Sequence, residues 1–209
     1  MPTTNDTTIP VGDVELEGDL VVPDDADGIV VFAHGSGSSR KSPRNNYVAE
    51  VLRDRGLGTL LFDLLTEAED QHRENRFDIQ LLTDRLVAVT EWLDGRIEKE
   101  RSYGYFGSST GAAAALRAAA RRPDTGAVVS RGGRVDLAEQ RLAGVTAPTL
   151  LLVGGEDEHV LRLNREATES VAAVSELHVV EGAGHLFEEP GELEEVADVA
   201  ADWFERFLR

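Results

Sequence analysis

Two hydrophobic periods alternate along the chain. Short, wholly apolar runs, the pattern of a strand buried on both faces, open at residues 28–35 ("GIVVFAHG") and recur at 58–65 ("GTLLFDLL"). Four more follow as "SYGYFGSS", "GAVVSRGG", "APTLLLVGGED" and "ELHVVEG". Segments with helical spacing lie between them. "NYVAEVLRDRG" groups Val48, Val51 and Leu52 and stops at Gly56. "FDIQLLTDRLVAVTEWLDG" sets Phe77, Leu81, Leu82, Leu86, Val89 and Leu93 on one apolar side. "TGAAAALRAAARRPD" is a helix stopped by Pro123, and "VLRLNREATESVAAV" and "GELEEVADVAADWFERFLR" are two more. Near the start, "VELEGDLVVP" reads as an amphipathic strand or as a hairpin turning at Gly18 and Asp19, and "TEAEDQHRENR" reads as a charged loop.

Apolar strands alternating with helices predict an α/β fold, a mostly parallel sheet with helices on both faces. The 209 residues suit a single domain, 1–209, with residues 1–8 expected as a flexible tail. In such a sheet the chemistry gathers beyond the carboxyl ends of the strands. That directs attention to Ser36, Asp63, Ser109, Arg131, Asp157 and His185.

Composition narrows the classes. No apolar run is long enough to span a membrane, and "MPTTNDTTIP" lacks the basic and apolar regions of a signal peptide, so a cytoplasmic protein is expected. The chain has no cysteine, which excludes disulfides, thiolate metal sites and a cysteine nucleophile. Net charge is −18, from 39 acidic and 21 basic residues, and of the basic ones only Lys41 and Lys99 are lysines. Such a surface repels nucleic acid and anionic lipid, so neither is expected as a partner. An acid-rich, lysine-poor chain fits high salt, where counterions screen self-repulsion, and resembles those of halophilic archaea.

The loop "HGSGSSRKS" after the first buried run begins like a phosphate-binding loop. It lacks the second glycine of G-x-x-x-x-G-K-[ST] and the third of G-x-G-x-x-G, because both fall on Arg40, and Pro43 restricts the next helix start. The rest of the chain supplies another use for it. Gly107-Ser108-Ser109-Thr110-Gly111 is G-x-S-x-G between an apolar run and an alanine-rich helix, the setting of a nucleophile elbow with Ser109 at its tip. An elbow serine takes its acid and then its base from later in the chain. Of the histidines after Ser109, His178 falls mid-strand and His159 directly follows an acidic run. His185 sits in a small-residue loop just past a strand. Glu156, Asp157 and Glu158 all end a buried run; Asp157 is preferred because turn chemistry favours a short acid. Two backbone N–H groups must hold the oxyanion. Thr110 supplies one and Ser36 the other, with Gly37 second to Ser36 as donor and also expected on the substrate side. His34 is expected to brace this loop. Arg131 ends a strand on the same side and is either a receptor for an anionic substrate group or the ion-pair partner of an acid such as Asp63.

With "VVFAHGSGSS", "GYFGSSTGAAAAL", "VVSRGGR", "APTLLLVGGEDEHV" and "GAGHLFEEPG", the chain resembles α/β-hydrolases of the dienelactone-hydrolase-like group over residues 30–191. The resemblance implies an α/β-hydrolase fold with Ser109 as nucleophile, Asp157 as acid and His185 as base. It implies two-step acyl transfer on a small acyl substrate without metal or organic cofactor. Dienelactone hydrolases proper carry cysteine at the elbow; serine here favours ester chemistry over lactones. Similar proteins also occur joined to phosphoribosyltransferase domains. About fifteen residues separate the run at Val128 from the next, too few for a lid domain. The rival readings are a non-catalytic scaffold that binds a small ligand, and a thioesterase or peptidase of the same fold.

The charge balance carries a test. Raising KCl from dilute buffer to 1 M, where the Debye length is ~3 Å, is expected to raise the melting temperature; an unchanged value contradicts the high-salt reading.

Overall fold

The computed structural model describes residues 5–97 and 101–208. Chain order runs β1 (Asn5–Val11), β2 (Val14–Val21), β3 (Gly28–Ala33), α1 (Pro43–Asp54), β4 (Gly58–Phe62), α2 (Glu67–Asp70) and α3 (Ile79–Asp94). It continues with β5 (Ser102–Ser108), α4 (Thr110–Arg121), β6 (Thr125–Arg131), α5 (Glu139–Leu142), β7 (Thr149–Gly154), α6 (Glu158–Thr168), β8 (Ser175–Val180) and α7 (Glu192–Phe207). The strands form one eight-stranded sheet in the order β1-β2-β4-β3-β5-β6-β7-β8. β1 and β2 are antiparallel to each other, and β2 to β4; every pairing from β4 to β8 is parallel.

Three local expectations are corrected. The first hairpin turns at Gly12 and Asp13, where Gly12 has φ +58°, and not at Gly18 and Asp19. Those two lie inside β2, opposite Thr7 and Asp6 of β1. The partner strand was hidden in "NDTTIPV", where only Ile9 and Val11 turn inward and Pro10 is tolerated on an edge strand. Residues 5–8, expected in a tail, are therefore paired in β1; residues 1–4 lie outside the described residues. The stretch 66–76 is not a plain loop. It contains α2, opened by a reciprocal cap between Thr66 and Glu69, and a single 3-10 turn at Asn75–Phe77. Neither buries enough apolar surface to leave a hydrophobic period. In α3, Leu82, Leu86, Val89 and Leu93 are buried as expected, together with Ile79. Leu81 is half-buried, and Phe77 precedes the helix and is 45% exposed.

The core has two layers because the central strands are apolar on both faces. Val31, Tyr105, Val128 and Leu151 pack towards α3 and α4; Val30, Phe32, Phe106, Val129 and Leu152 pack towards α1 and α7. In α4 the residues Ala112 to Ala115 are wholly buried, so small side chains bring that helix close to the sheet. Glycines do the same under α7. A Cβ on Gly104 would stand 2.7 Å from Phe204 Cε1, and one on Gly28 would stand 2.8 Å from Leu208 Cβ. The crossover from β6 to β7, residues 132–148, holds one 3-10 turn and α5, whose Val135, Ala138 and Leu142 are buried. It packs down instead of rising over the sheet as a lid. No helix among the described residues is long and apolar enough to cross a membrane.

Gly104→Val overfills the seam between β5 and α7. It is expected to cost ~1–3 kcal/mol, read as a lower urea midpoint with an unchanged slope.

Candidate active site

Ser109 is the single residue between the end of β5 and the start of α4, and it has φ 50° and ψ −116°. A non-glycine residue at positive φ is strained by ~1–3 kcal/mol and persists only where its surroundings fix it. Here they do. The Ser109 N–H donates to the Arg131 carbonyl at 3.1 Å, and the Ser109 carbonyl accepts from the Ala112 and Arg134 amides, each at 3.1 Å. The flanking glycines are steric necessities. A Cβ on Gly107 would meet Ala112 Cα at 2.4 Å, and one on Gly111 would meet the Ala33 carbonyl oxygen at 2.1 Å. The adjacent Ser108 is turned the other way. It is 4% exposed, and its hydroxyl donates to Asn45 Oδ1 at 3.3 Å beneath α1.

Asp157 and His185 meet. His185 Nδ1 lies 2.6 Å from Asp157 Oδ2, with the carboxylate 15% and the imidazole 40% exposed. The acid fixes the tautomer: Nδ1–H donates to the carboxylate, which leaves Nε2 free to take a proton. Asp157 stands at the N-cap of α6 but makes no capping bond with its side chain. The turn-capping reason for preferring it is thus corrected; the carboxylate is committed to His185. Glu156 and Glu158 are exposed, with Glu158 in the first turn of α6. The two loops are stitched by backbone, Gly155 N–H to the Val180 carbonyl at 2.9 Å and Glu156 N–H to the Ala183 carbonyl at 3.0 Å. Gly132, the residue after the one that holds Ser109, lies under the imidazole. A Cβ there would stand 3.2 Å from His185 Cε1. Ser109 and His185 thus share the Arg131–Gly132 segment as their floor. The other histidines are occupied elsewhere: His178 pairs with Glu195 at 2.6 Å, and His159 contacts Arg162 at 3.1 Å.

The loop after β3 lies against the elbow, since a Cβ on Gly35 would stand 3.2 Å from Ser109 Cβ. His34 braces it. Nε2 accepts the Leu64 N–H at 3.1 Å, so the proton is on Nδ1 and donates to the Gly35 carbonyl at 3.0 Å. Burial pushes the His34 pKa below its ordinary 6.5, against the opposing pull of the Gly35 carbonyl and Asp63. Asp63 holds the far end of the loop. Its two carboxylate oxygens accept from the Arg40 amide at 2.7 Å and the Arg40 guanidinium at 2.6 Å. Arg40 and Asn45 are organising residues that the sequence does not reveal, because their partners lie far along the chain. The Ser36 amide also has an unexpected partner, Thr110 Oγ1 at 2.9 Å. The Gly37 amide of the same loop has no acceptor among the described residues, and Gly37 holds φ +73°.

Arg131 is not the partner of Asp63, which Arg40 has taken. Its guanidinium makes no ion pair among the described residues, although the side chain is 9% exposed and Nη1 is sealed from solvent without a hydrogen bond. No group of metal-ligating residues occurs among the described residues.

The chain is similar in sequence and fold to known proteins. The model of the dienelactone hydrolase family matches residues 16–209. The crystal structure of a dienelactone hydrolase from Anabaena variabilis superposes with a TM-score of 0.95 at 52% identity, covering 100% of this chain and 99% of that one. Est1E from Butyrivibrio proteoclasticus superposes at 0.82 with 16% identity, over 96% and 98% of the two chains, a likeness of fold alone. A Mycobacterium tuberculosis protein named a putative phosphoribosyl transferase is 58% identical over 195 residues, 92% of this chain and 44% of that protein. The chain therefore spans less than half the length of that relative.

The neutral His34 bond has a pH consequence. With a folded pKa below 6.5, the unfolded chain binds the proton first as pH falls. The stability from this group is complete above 6.5 and is lost as pH falls through the folded value. His34→Gln is expected to shallow the acid limb of a melting-temperature profile relative to wild type.

Proposed function

Because the chain belongs to the dienelactone hydrolase family, we propose that it is a serine hydrolase cleaving small esters or related acyl substrates through an acyl-enzyme. The observation that carries this reading is the Asp157–His185 contact at 2.6 Å, set over the same backbone segment that anchors the strained Ser109.

In this mechanism His185 Nε2 takes the Ser109 hydroxyl proton as Oγ attacks the acyl carbon, and Asp157 stabilises the imidazolium that forms. The oxyanion is held by backbone amides. Thr110 opens α4, so its N–H has no intrahelical acceptor. The loop after β3 brings the second. Ser36 is the expected donor, and to serve it shares or releases its bond to Thr110 Oγ1; Gly37 offers the unengaged amide beside it. His185 then protonates the leaving group, and water, activated by the same imidazole, releases the acid. None of these steps draws on a metal or organic cofactor. The short crossover packed on α4 supports an open site for small substrates. The transferase name of the M. tuberculosis relative belongs to a protein of which this chain matches under half, so it carries no reaction to these residues.

A fluorophosphonate probe and a short p-nitrophenyl ester in molar salt test the proposal. Wild type is expected to label and turn over, and Ser109→Ala to do neither, losing at least ~10³-fold in kcat. Wild type that neither labels nor hydrolyses any ester contradicts the reading. Asp157→Asn is expected to be severe, by up to ~10⁴-fold, while Glu156→Gln and Glu158→Gln stay near wild type. A crippled Glu158→Gln with an active Asp157→Asn overturns the acid assignment.

A further inference from the structure

α6 opens at Asp157, and about two turns further along the same face it carries Asn164. Asn164 is fully buried, and its Nδ2 donates to two acceptors. One is the Val160 carbonyl of its own helix at 2.8 Å. The other is the Gly133 carbonyl at 2.9 Å, 31 residues back along the chain. Two carbonyls on one side of the amide fix its orientation, because the flipped amide would set Oδ1 against both. Oδ1 itself is sealed from solvent without a hydrogen bond among the described residues.

Gly133 belongs to the segment on which both halves of the site rest. The Arg131 carbonyl accepts the Ser109 N–H, the Arg134 N–H donates to the Ser109 carbonyl, and Gly132 lies under His185. Gly133 is also pressed against the first turn of α4. A Cβ on it would stand 2.9 Å from Ala112 Cβ and 2.0 Å from Ser130 Oγ. The Asn164 bond therefore ties the helix that opens at Asp157 to the backbone that holds Ser109. Stability does not account for an asparagine here. A buried amide with one half unpaired loses in desolvation about what its bonds return. Leucine, of similar size, would trade the unpaired Oδ1 for an unpaired Gly133 carbonyl. What asparagine adds is a fixed distance between α6 and the nucleophile's turn.

We propose that Asn164 is a positioning residue of the active site. By holding Gly133 it sets the distance from the Asp157–His185 pair to Ser109, without touching substrate. The role rests on the serine-hydrolase reading. Proton transfer between Ser109 Oγ and His185 Nε2 depends steeply on that distance, so a shift of α6 against the Arg131–Arg134 segment slows the chemistry while substrate binding stays as it was.

The test is saturation kinetics of wild type, Asn164→Leu and Asn164→Ser on a short p-nitrophenyl ester. Turnover is counted per site titrated to completion with a fluorophosphonate, so unfolded protein does not enter it. Folding is followed by thermal melting. In Asn164→Leu, kcat per titrated site is expected to fall by roughly 10- to 100-fold, the effect of a small misplacement. KM is expected to stay within about two-fold of wild type, as for an interaction that acts on the transition state alone. A merely structural asparagine gives the opposite pattern, a lowered melting temperature with kcat per site and KM unchanged, and that result overturns the role. Asn164→Ser decides in the same way if the leucine variant does not fold. If neither folds, the side-chain amide resonance of Asn164 in wild type decides. It is expected to shift when the probe phosphonylates Ser109, and an unmoved resonance overturns the role. Wild type that neither labels nor hydrolyses overturns the hydrolase reading and the positioning role with it, whereas active wild type with unaltered kinetics in a folded variant overturns the positioning role alone.

Discussion

The structure turns on one tight reversal, the step from β5 into α4 at Ser109. A strand that enters a helix through a single residue must bring helix backbone against sheet backbone. The would-be Cβ distances at Gly107 and Gly111, 2.4 and 2.1 Å from neighbouring backbone, measure how close that approach is. The strain at Ser109 is held by three backbone hydrogen bonds, to Arg131, Ala112 and Arg134. The alanines of α4 follow from the same constraint, since larger side chains would lift the helix and open the turn. The loop after β3 also depends on it, because it rests on Ser109 and ties its Ser36 amide to Thr110.

Charge is distributed unevenly around this reversal. The acid surplus is carried outside, for example by Glu192, Glu194 and Glu195 in the first turn of α7. Exposed ion pairs such as Arg206–Glu176 contribute little each. Inside, several polar groups have fixed partners. His34 is held neutral by burial and by the Leu64 N–H; Asp63 is given to Arg40; Asp157 is given to His185. Arg131 is also buried, with no acid partner among the described residues.

Family membership and fold place the chain among hydrolases, while a relative at 58% identity bears a transferase name. Local chemistry weighs these differently. The elbow, the acid and histidine loops and the loop after β3 all lie within residues 16–209, which the dienelactone hydrolase family model matches.

The sequence by itself determined the parallel sheet, the helices on both faces and the tight turn at Ser109. Each of these is written in local pattern: apolar runs, helical spacing, and glycines two residues either side of a serine. It could not locate the first hairpin, because "NDTTIPV" buries only alternate residues on an edge and its pairing is fixed by β2 and not by its own pattern. It gave no reason for α2, which is capped by Thr66 and Glu69 with no buried face. Only the tertiary structure decided which of three adjacent acids meets His185, that the Ser36 amide rests on Thr110, and that Asp63 belongs to Arg40, leaving Arg131 without an acid. These are contacts between residues 23 to 74 positions apart, and side chains with many possible partners carry no periodicity that would reveal the one they meet.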